Sequence, residues 1–377
     1  MGLLSRSSRG RSSRSVFSYI PLIRWIGPLF SIGVIVVSCL AALTGRIDLT
    51  VFDTSADDQE ESTELVSRSG DRGEGPLTTA PRSMDSIRIA TFNIQMFGDR
   101  KSSTRTIAEV PGVDVMGTIS SIVGRFDLIA IQEVRDDNMT VVRRLVDLVN
   151  ADGGSYTASV SAPVGDARSG DLQSYAFVWD STRVQMMSEP YVVQDTADRM
   201  HREPMVGTFR TILDPSIHDV PNREPFSFTI INVQNDPRGP VTSFAADRTN
   251  LELNVLDDVF VRVRDFEFQR TGEEDCILLG DLNAGPSQLE ELSRIPNVES
   301  VAGDIKTDVL RRSTLDHILL DRAMTTEFTG RTGVIDFRQD LGLTEAQSKL
   351  ISDHLPLWAE FSVYEAERIP AVARRQP

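Results

Sequence analysis

A chain of 377 residues with 40% hydrophobic and 25% charged content can bury one large core or two smaller ones, which excludes a miniature scaffold dependent on staples. Its formal charge of −16 at pH 7 argues against a passive nucleic-acid coat, because an acidic body repels polyanions at long range. An enzyme in which bound divalent cations or local arginine clusters reverse that field stays compatible.

Residues 1–25 form an Arg- and Ser-rich lead, with Arg6, Arg9, Arg11, Arg14 and Arg24 and no acid. Within the following segment, 26–47, the stretch 26–43 carries no charge and is near the length at which a helix spans a bilayer. Positive charge ahead of it keeps the lead in the cytoplasm and exports the remainder to the periplasmic or extracellular side. A cleaved signal peptide and a lipoprotein site at Cys39 compete with an uncleaved anchor, and the apolar run continuing through Leu40 and Leu43 favours the anchor. Residues 48–85, rich in Asp, Glu, Ser, Thr and Gly, read as a disordered acidic linker. The only other cysteine, Cys276, lies in an apolar run, so no disulfide framework is expected.

The folded body is expected over 86–365, ahead of a disordered tail at 366–377. Alternation at Ile87, Ile89 and Thr91 predicts a strand that runs into Asn93 and Gln95. A helix over 113–123, a buried strand over 127–133 ending in Glu133, and a helix over 139–149 follow. Strands are expected at 175–180, 183–187, 206–213 and 226–234, then a helix over about 244–263. The stretch 275–286, DCILLGDLNAGP, reads as a buried strand that stops at Asp281 and Asn283, two polar side chains leaving on one face. Strands at 315–320 and 355–363 complete the body. This pattern predicts an α/β, four-layer sandwich: two mixed β-sheets packed face to face and flanked by helices. Several strands end in polar residues, namely Asn93, Glu133, Gln234, Asp281, Asp316, and Asp353 with His354, and strand ends at one edge of a sandwich can share a cleft.

The segments TFNIQMFG at 91–98, DLIAIQEVRD at 127–136, SYAFVW at 174–179, HREP at 201–204, GDLNA at 280–284, LDHILL at 315–320 and SDHLP at 352–356 resemble, in the same order, the endonuclease/exonuclease/phosphatase superfamily. Within it, the pairing of QEVRD with FNIxxFG is most like the deoxyribonuclease I branch. The resemblance implies a DNase I-like fold and hydrolysis of phosphodiester bonds, with DNA as the leading substrate. It implies Mg²⁺ or Mn²⁺ held by Asn93, Glu133 and Asp353, with Asp281 and Asn283 completing a charged floor, and it leaves room for a structural Ca²⁺. His354 would be the acid/base group, with Asp316 fixing its tautomer. Arg135 and Arg202 would clamp the phosphodiester, and Gln95, Gln173 and Tyr175 would lie along the same substrate-binding wall.

Three departures from the branch pattern bear on activity, one being Gln95, which stands where that branch has a phosphate-contacting Arg. Gln234 stands where that branch has a second histidine, and Gln173 stands where it has that histidine's carboxylate partner. Two neutral amides can hydrogen-bond each other but cannot transfer protons. A slower nuclease is therefore expected, or one using a second metal near Asp281 and Asp236. Two alternatives stand beside it: a phosphatase or sphingomyelinase-type enzyme of the same superfamily, and a metal-retaining pseudoenzyme that binds phosphodiesters or a protein partner. No protein partner is evident, a monomer is expected, and the membrane would be met only through the N-terminal anchor.

Overall fold

The computed structural model describes residues 82–103, 113–136, 140–167, 170–215, 218, 223–236 and 252–366. The expected lead and anchor, the linker up to residue 81, and the tail from 367 lie outside the described residues. Among the described residues no helix is long and apolar enough to cross a membrane. Packing begins a few residues before 86. The Arg82 guanidinium reaches Asp180 at 3.0 Å, Asp127 at 3.2 Å and the Tyr156 hydroxyl at 3.1 Å, tying the entering chain to the body.

The chain opens with β1 (Ser86–Phe97), α1 (Asp99–Ser103), α2 (Val115–Val123), β2 (Leu128–Val134) and α3 (Thr140–Ala151). A run of strands follows: β3 (Tyr156–Val160), β4 (Ser174–Asp180), β5 (Val184–Met186), β6 (Tyr191–Val192), β7 (Met205–Thr211) and β8 (Ser227–Gln234). Helix α4 (Leu256–Thr271) leads into β9 (Cys276–Asp281). Then come β10 (Val298–Ser300), β11 (Asp316–Asp321), β12 (Phe328–Val334), α5 (Phe337–Asp340), α6 (Glu345–Ile351) and β13 (Leu357–Ser362).

Two mixed sheets result. One runs β12-β13-β1-β2-β4-β3 and the other β10-β11-β9-β8-β7-β5, with β6 beside β7. Each holds one parallel pair, β1 with β2 and β8 with β9, and each pair is joined by a crossover containing a helix. The strands of these pairs are apolar on both faces because both faces are covered. From β2, Leu128 and Ala130 face the opposite sheet while Ile129 and Ile131 face α2 and α3. From β9, Ile277 and Leu279 face the opposite sheet while Cys276 and Leu278 face α4. Three apolar layers therefore separate four layers of secondary structure, and each fully buried Leu, Ile or Phe contributes about 1.5–3 kcal/mol of transfer free energy. Cys276 is a free, buried thiol.

The helix expected over 244–263 is displaced: α4 runs to Thr271 and stops on Gly272, whose φ of +81° ends the helix in the left-handed region. Its front expected portion lies outside the described residues. The buried stripe Leu256, Val259, Phe260 and Val263 continues through Glu267 rather than an apolar residue, while the apolar residues of the last two turns, Phe266 and Phe268, are half exposed and lie off that stripe. Strands β3, β10 and β12 were not expected from the pattern. All three lie at sheet edges, where one neighbour and partial burial demand little hydrophobicity.

Candidate active site

The topology places the polar tips together. Asn93, Glu133, Gln234 and Asp281 stand at the carboxyl ends of the four strands that make the two parallel pairs. Strand β11 runs antiparallel to β9 and begins where β9 ends, with Asp316 opposite Asp281. Strand β13 is likewise antiparallel to β1, with Leu357 opposite Thr91, so the preceding Asp353 and His354 arrive beside the end of β1. The tips line a cleft of about 370 Å³ bounded by Gln95, Glu133, Gln234, Asp281, Asp353 and His354 among others.

Backbone strain collects here. Gln95, Met96, Glu133 and Asn283 all adopt positive φ, at 34°, 54°, 60° and 50°. Side chains with a Cβ seldom occupy that region, so surrounding structure must enforce it. Both β1 and β2 shift register just before these residues, between Asn93 and Phe97 and between Ile131 and Val134. Such an irregularity re-aims a side chain out of the pleat, and here it turns Glu133 back toward Asn93. Gly280 meets a stricter demand. Its φ is +146°, and an added Cβ would lie 1.8 Å from the Val233 carbonyl oxygen, so only glycine lets β9 approach β8 immediately before Asp281.

One hydrogen-bonded chain crosses the floor. Asn93 Nδ2 donates to Glu133 Oε1 and to Asp281 Oδ2, both at 3.0 Å, and Gln234 Nε2 donates to the same Glu133 oxygen at 2.7 Å. Met96 N donates to Glu133 Oε2 at 2.8 Å. Burial works to raise the Glu133 pKa, but Asn93, the Met96 amide, Gln234 and Arg135 together hold the carboxyl below its ordinary value. Gln173 Nε2 donates to Gln234 Oε1, so the two amides engage each other. Below them, Gln132 Nε2 donates to Asn232 Oδ1 at 2.7 Å and to Thr91 Oγ1 at 2.9 Å, joining the two sheets by a buried amide pair directly under the cleft.

His354 lies at the other wall. Its Nδ1 is 2.8 Å from Asp316 Oδ2, while Nε2 is 3.7 Å from Asp281 Oδ2 and 3.9 Å from Asp353 Oδ1. Burial lowers the His354 pKa, but Asp316, Asp281 and Asp353 outweigh it and hold the imidazole well above its ordinary range. Burial also pushes Asp281 up to about 6, with the His354 charge opposing and Asp316 reinforcing the rise. Asp353 Oδ2 accepts from Gln95 Nε2 at 2.7 Å, whereas its Oδ1 is buried with no hydrogen-bond partner among the described residues.

Three expectations change. Tyr175, expected to touch substrate, is fully buried, and its hydroxyl accepts the Gln234 backbone N–H at 3.0 Å. It can act on the cleft only by fixing Gln234. Arg135 and Arg202 do not stand as an open clamp. Both guanidiniums converge on Asp171, at 2.8 Å and 2.6 Å, while each Nε makes no hydrogen bond among the described residues. Burial raises the Asp171 pKa, but His201, Arg202 and Arg135 hold it below its ordinary value. Asp281 and Asp236 both line the cleft but belong to different close-set groups of ionisable side chains. Asp236 groups with Asp171 and His201, and Asp281 groups with Asp316 and His354.

Sequence reasoning missed Asp171 and Glu252. Glu252 accepts the backbone N–H groups of His201 (2.8 Å), Arg202 (3.3 Å) and Asp236 (2.7 Å), bracing two segments distant in sequence. Neither carboxylate ends an apolar run, so neither has a local signal. The other described histidines are committed elsewhere. His317 joins Ala284 O and Ser300 Oγ, each at 2.8 Å, and His218 joins the Asp214 N–H at 2.9 Å and Met84 O at 3.0 Å.

The donor set suits a hard divalent cation. The carboxylates of Glu133 and Asp353 and the carbonyl of Asn93 are hard oxygen donors, and Asp353 Oδ1 makes no hydrogen bond among the described residues while facing the His354 imidazole at 3.9 Å.

Comparison with known proteins bears on this geometry. The profile of the Endonuclease/Exonuclease/phosphatase family matches residues 90–354. Deoxyribonuclease-1-like 1 of Sus scrofa is 30% identical over 289 residues, covering 74% of this chain and 82% of the relative. Deoxyribonuclease-1 of Rattus norvegicus is 28% identical over 291 residues, covering 72% and 90%. The human Nocturnin catalytic domain with bound sulfate anion superposes with a TM-score of 0.48 at 14% identity, covering 78% of this chain and 99% of that one.

Proposed function

The chain belongs to the endonuclease/exonuclease/phosphatase family, hydrolases of phosphoric ester bonds, and from that premise we propose that it is a divalent-metal-dependent endonuclease cleaving DNA. The observation that carries the reading is the His354–Asp316 pair at 2.8 Å beside the Asn93–Glu133–Asp281 chain. Asp316 fixes one imidazole nitrogen, so Nε2 alone faces the cleft and moves the proton. Asp316 also stabilises the imidazolium that forms during the transfer.

Glu133, Asn93 and Asp353 would hold Mg²⁺ or Mn²⁺, which when bound offsets negative charge growing on the phosphate oxygens. Arg135 and Arg202, both engaged by Asp171, would reach a phosphodiester only in competition with that carboxylate, and Gln95 holds Asp353 through its Oδ2. Gln234 and Gln173 orient Glu133 without carrying a proton, so the protein lacks one of two acid/base groups of the deoxyribonuclease branch. That difference supports reduced turnover.

The test is plasmid nicking by the full chain with Mg²⁺, Mn²⁺ or chelator, beside His354→Ala. Nicking is expected only with metal, and the variant should lose about 10²- to 10⁴-fold, the usual contribution of a positioned acid. Sphingomyelin and inositol phosphates serve as competing substrates, and their preferential hydrolysis would replace the nuclease reading. A second reading, a pseudoenzyme, is favoured by the Gln173–Gln234 pair alone. Mg²⁺ uptake without turnover on any phosphodiester would establish it instead.

A further inference from the structure

Lys101, on the single turn of helix α1, belongs to neither the donor set nor the proton path described above. Its Nζ donates to Ile94 O at 2.8 Å and to Ile351 O at 2.7 Å. The two carbonyls come from opposite ends of the folded body. Ile94 directly follows Asn93, and Ile351 lies just ahead of Asp353 and His354.

Both carbonyls stand where regular structure breaks off. Strand β1 pairs with β13 only as far as Thr91, and its pairing with β2 skips from Asn93 to Phe97. Ile94 O therefore lies in the interruption, immediately before the positive φ of Gln95 and Met96. Ile351 closes helix α6, in the last turn, where carbonyls lack intrahelical donors and the helix dipole attracts positive charge. An ammonium carries three donors on one compact cation, so it can satisfy both carbonyls at once.

A second tie joins the same two segments. The hydroxyl of the fully buried Ser352 donates to Asn93 O at 2.6 Å and accepts the His354 N–H at 3.0 Å. Two backbone bonds then fasten the segment to residues 307–309: Val309 N–H to Asp353 O at 2.8 Å and Leu355 N–H to Thr307 O at 2.6 Å. Asp353 and His354 thus owe their place beside β1 to Lys101 and Ser352.

The charge of the ammonium and its hydrogen bonds act on a metal in opposite directions. Burial pushes Lys101 down to about 8, while Asp353 and Glu133 oppose that fall, so its charge is felt at two of the cleft carboxylates. As a bare charge it would repel a divalent ion held there. As a brace it would keep the ligands in register for one.

We propose that Lys101 is a positioning residue for the candidate metal site: with Ser352 it fixes Asn93 against Asp353 and so sets the affinity for the divalent ion. The role presupposes that Asn93, Glu133 and Asp353 hold Mg²⁺ or Mn²⁺, as in the proposed nuclease. Groups that orient metal ligands without touching the metal typically govern its affinity by about 10- to 100-fold.

The test follows Mn²⁺ binding to the full chain through the electron paramagnetic resonance of the free ion, beside thermal unfolding. Mn²⁺ bound by wild type and lost in Glu133→Gln marks the cleft site. Lys101→Met keeps the length of the side chain but removes its donors and charge, and should weaken that site about 10- to 100-fold. Ser352→Ala should weaken it in the same direction. Nicking should need correspondingly more metal yet recover most of its turnover at saturation, a split that loss of folded protein does not produce. Lys349→Met removes an exposed cation paired with Glu345 on the same helix α6 and should leave Mn²⁺ affinity unchanged. Unchanged or tighter Mn²⁺ binding in folded Lys101→Met would overturn the positioning role and leave the nuclease reading intact, since the lysine would then act only as a nearby charge. If Lys101→Met fails to fold, Ser352→Ala decides, and unaltered affinity there overturns the role. A wild type with no Mn²⁺ site sensitive to Glu133→Gln would overturn the metal reading and this role together.

Discussion

At the level of single residues, the cleft is a set of side chains each held by a second one. Glu133 is addressed by Asn93, Gln234 and a backbone N–H, and His354 by Asp316. The Gln173–Gln234 pair shows how two substitutions can be tolerated together, since each amide satisfies the other where a lone buried carboxylate would be left without a partner. Restoring the pair should therefore restore chemistry rather than stability. Gln234→His with Gln173→Glu is expected to raise nicking by about 10²-fold or more and to add a second ionisation to its pH profile. In wild type one ionisation should dominate, and because the His354 imidazole is held above its ordinary range, the protonated form should persist to higher pH than for a free histidine. Unchanged nicking by the folded double variant would show that the two amides do not limit the rate.

At the level of elements, the close parallel approach of β8 and β9 positions Asp281, and Gly280 is what permits it. The added methyl of Gly280→Ala would meet the Val233 carbonyl at 1.8 Å in a backbone conformation that L-residues avoid. The variant should lose on the order of 3–5 kcal/mol in chemical denaturation, among the larger costs for a single substitution. Because Asp316 pairs in register with Asp281, any relief by separation of β8 and β9 should also displace the His354 support. A loss below about 0.5 kcal/mol would mean that the strand end is free to adjust, contrary to the geometry described.

For the molecule as a whole, the proposed nuclease reading requires an acidic body to admit a polyanion, and the two arginines that line the cleft are already paired. Arg135 and Arg202 are already engaged by Asp171, which sits where an incoming phosphate oxygen would compete for the same guanidiniums. DNA binding by a metal-loaded, catalytically silenced His354→Ala protein should therefore depend only weakly on salt, with a log–log slope of about −2 or shallower. Asp171→Asn should free both guanidiniums, tighten binding several-fold and steepen the slope by about 1 to 2. Fluorescence anisotropy across salt concentrations measures both, and an unchanged slope would remove the two arginines from the substrate path.

Much of this was legible in the sequence because it was written in local patterns. Strands covered on both faces must be apolar throughout, so β2, β4, β8 and β9 announced themselves, and the abrupt switch to polar residues marked the tips Glu133, Gln234 and Asp281. The anchor expected over 26–47 lies outside the described residues and stays an expectation of the sequence. The edge strands β3, β10 and β12 gave no such signal, because partial burial tolerates polar residues, and the last turns of α4 misled because Glu267 is buried there while Phe266 and Phe268 face outward. What only the tertiary structure decided is which charges meet. Asp171 between two arginines, Glu252 beneath three backbone amides, Tyr175 turned inward, and Lys101 joining the end of β1 to that of α6 all depend on contacts between segments distant in the chain. Charge pairing acts over a few ångströms of space, whereas sequence patterns report only which face of an element is buried.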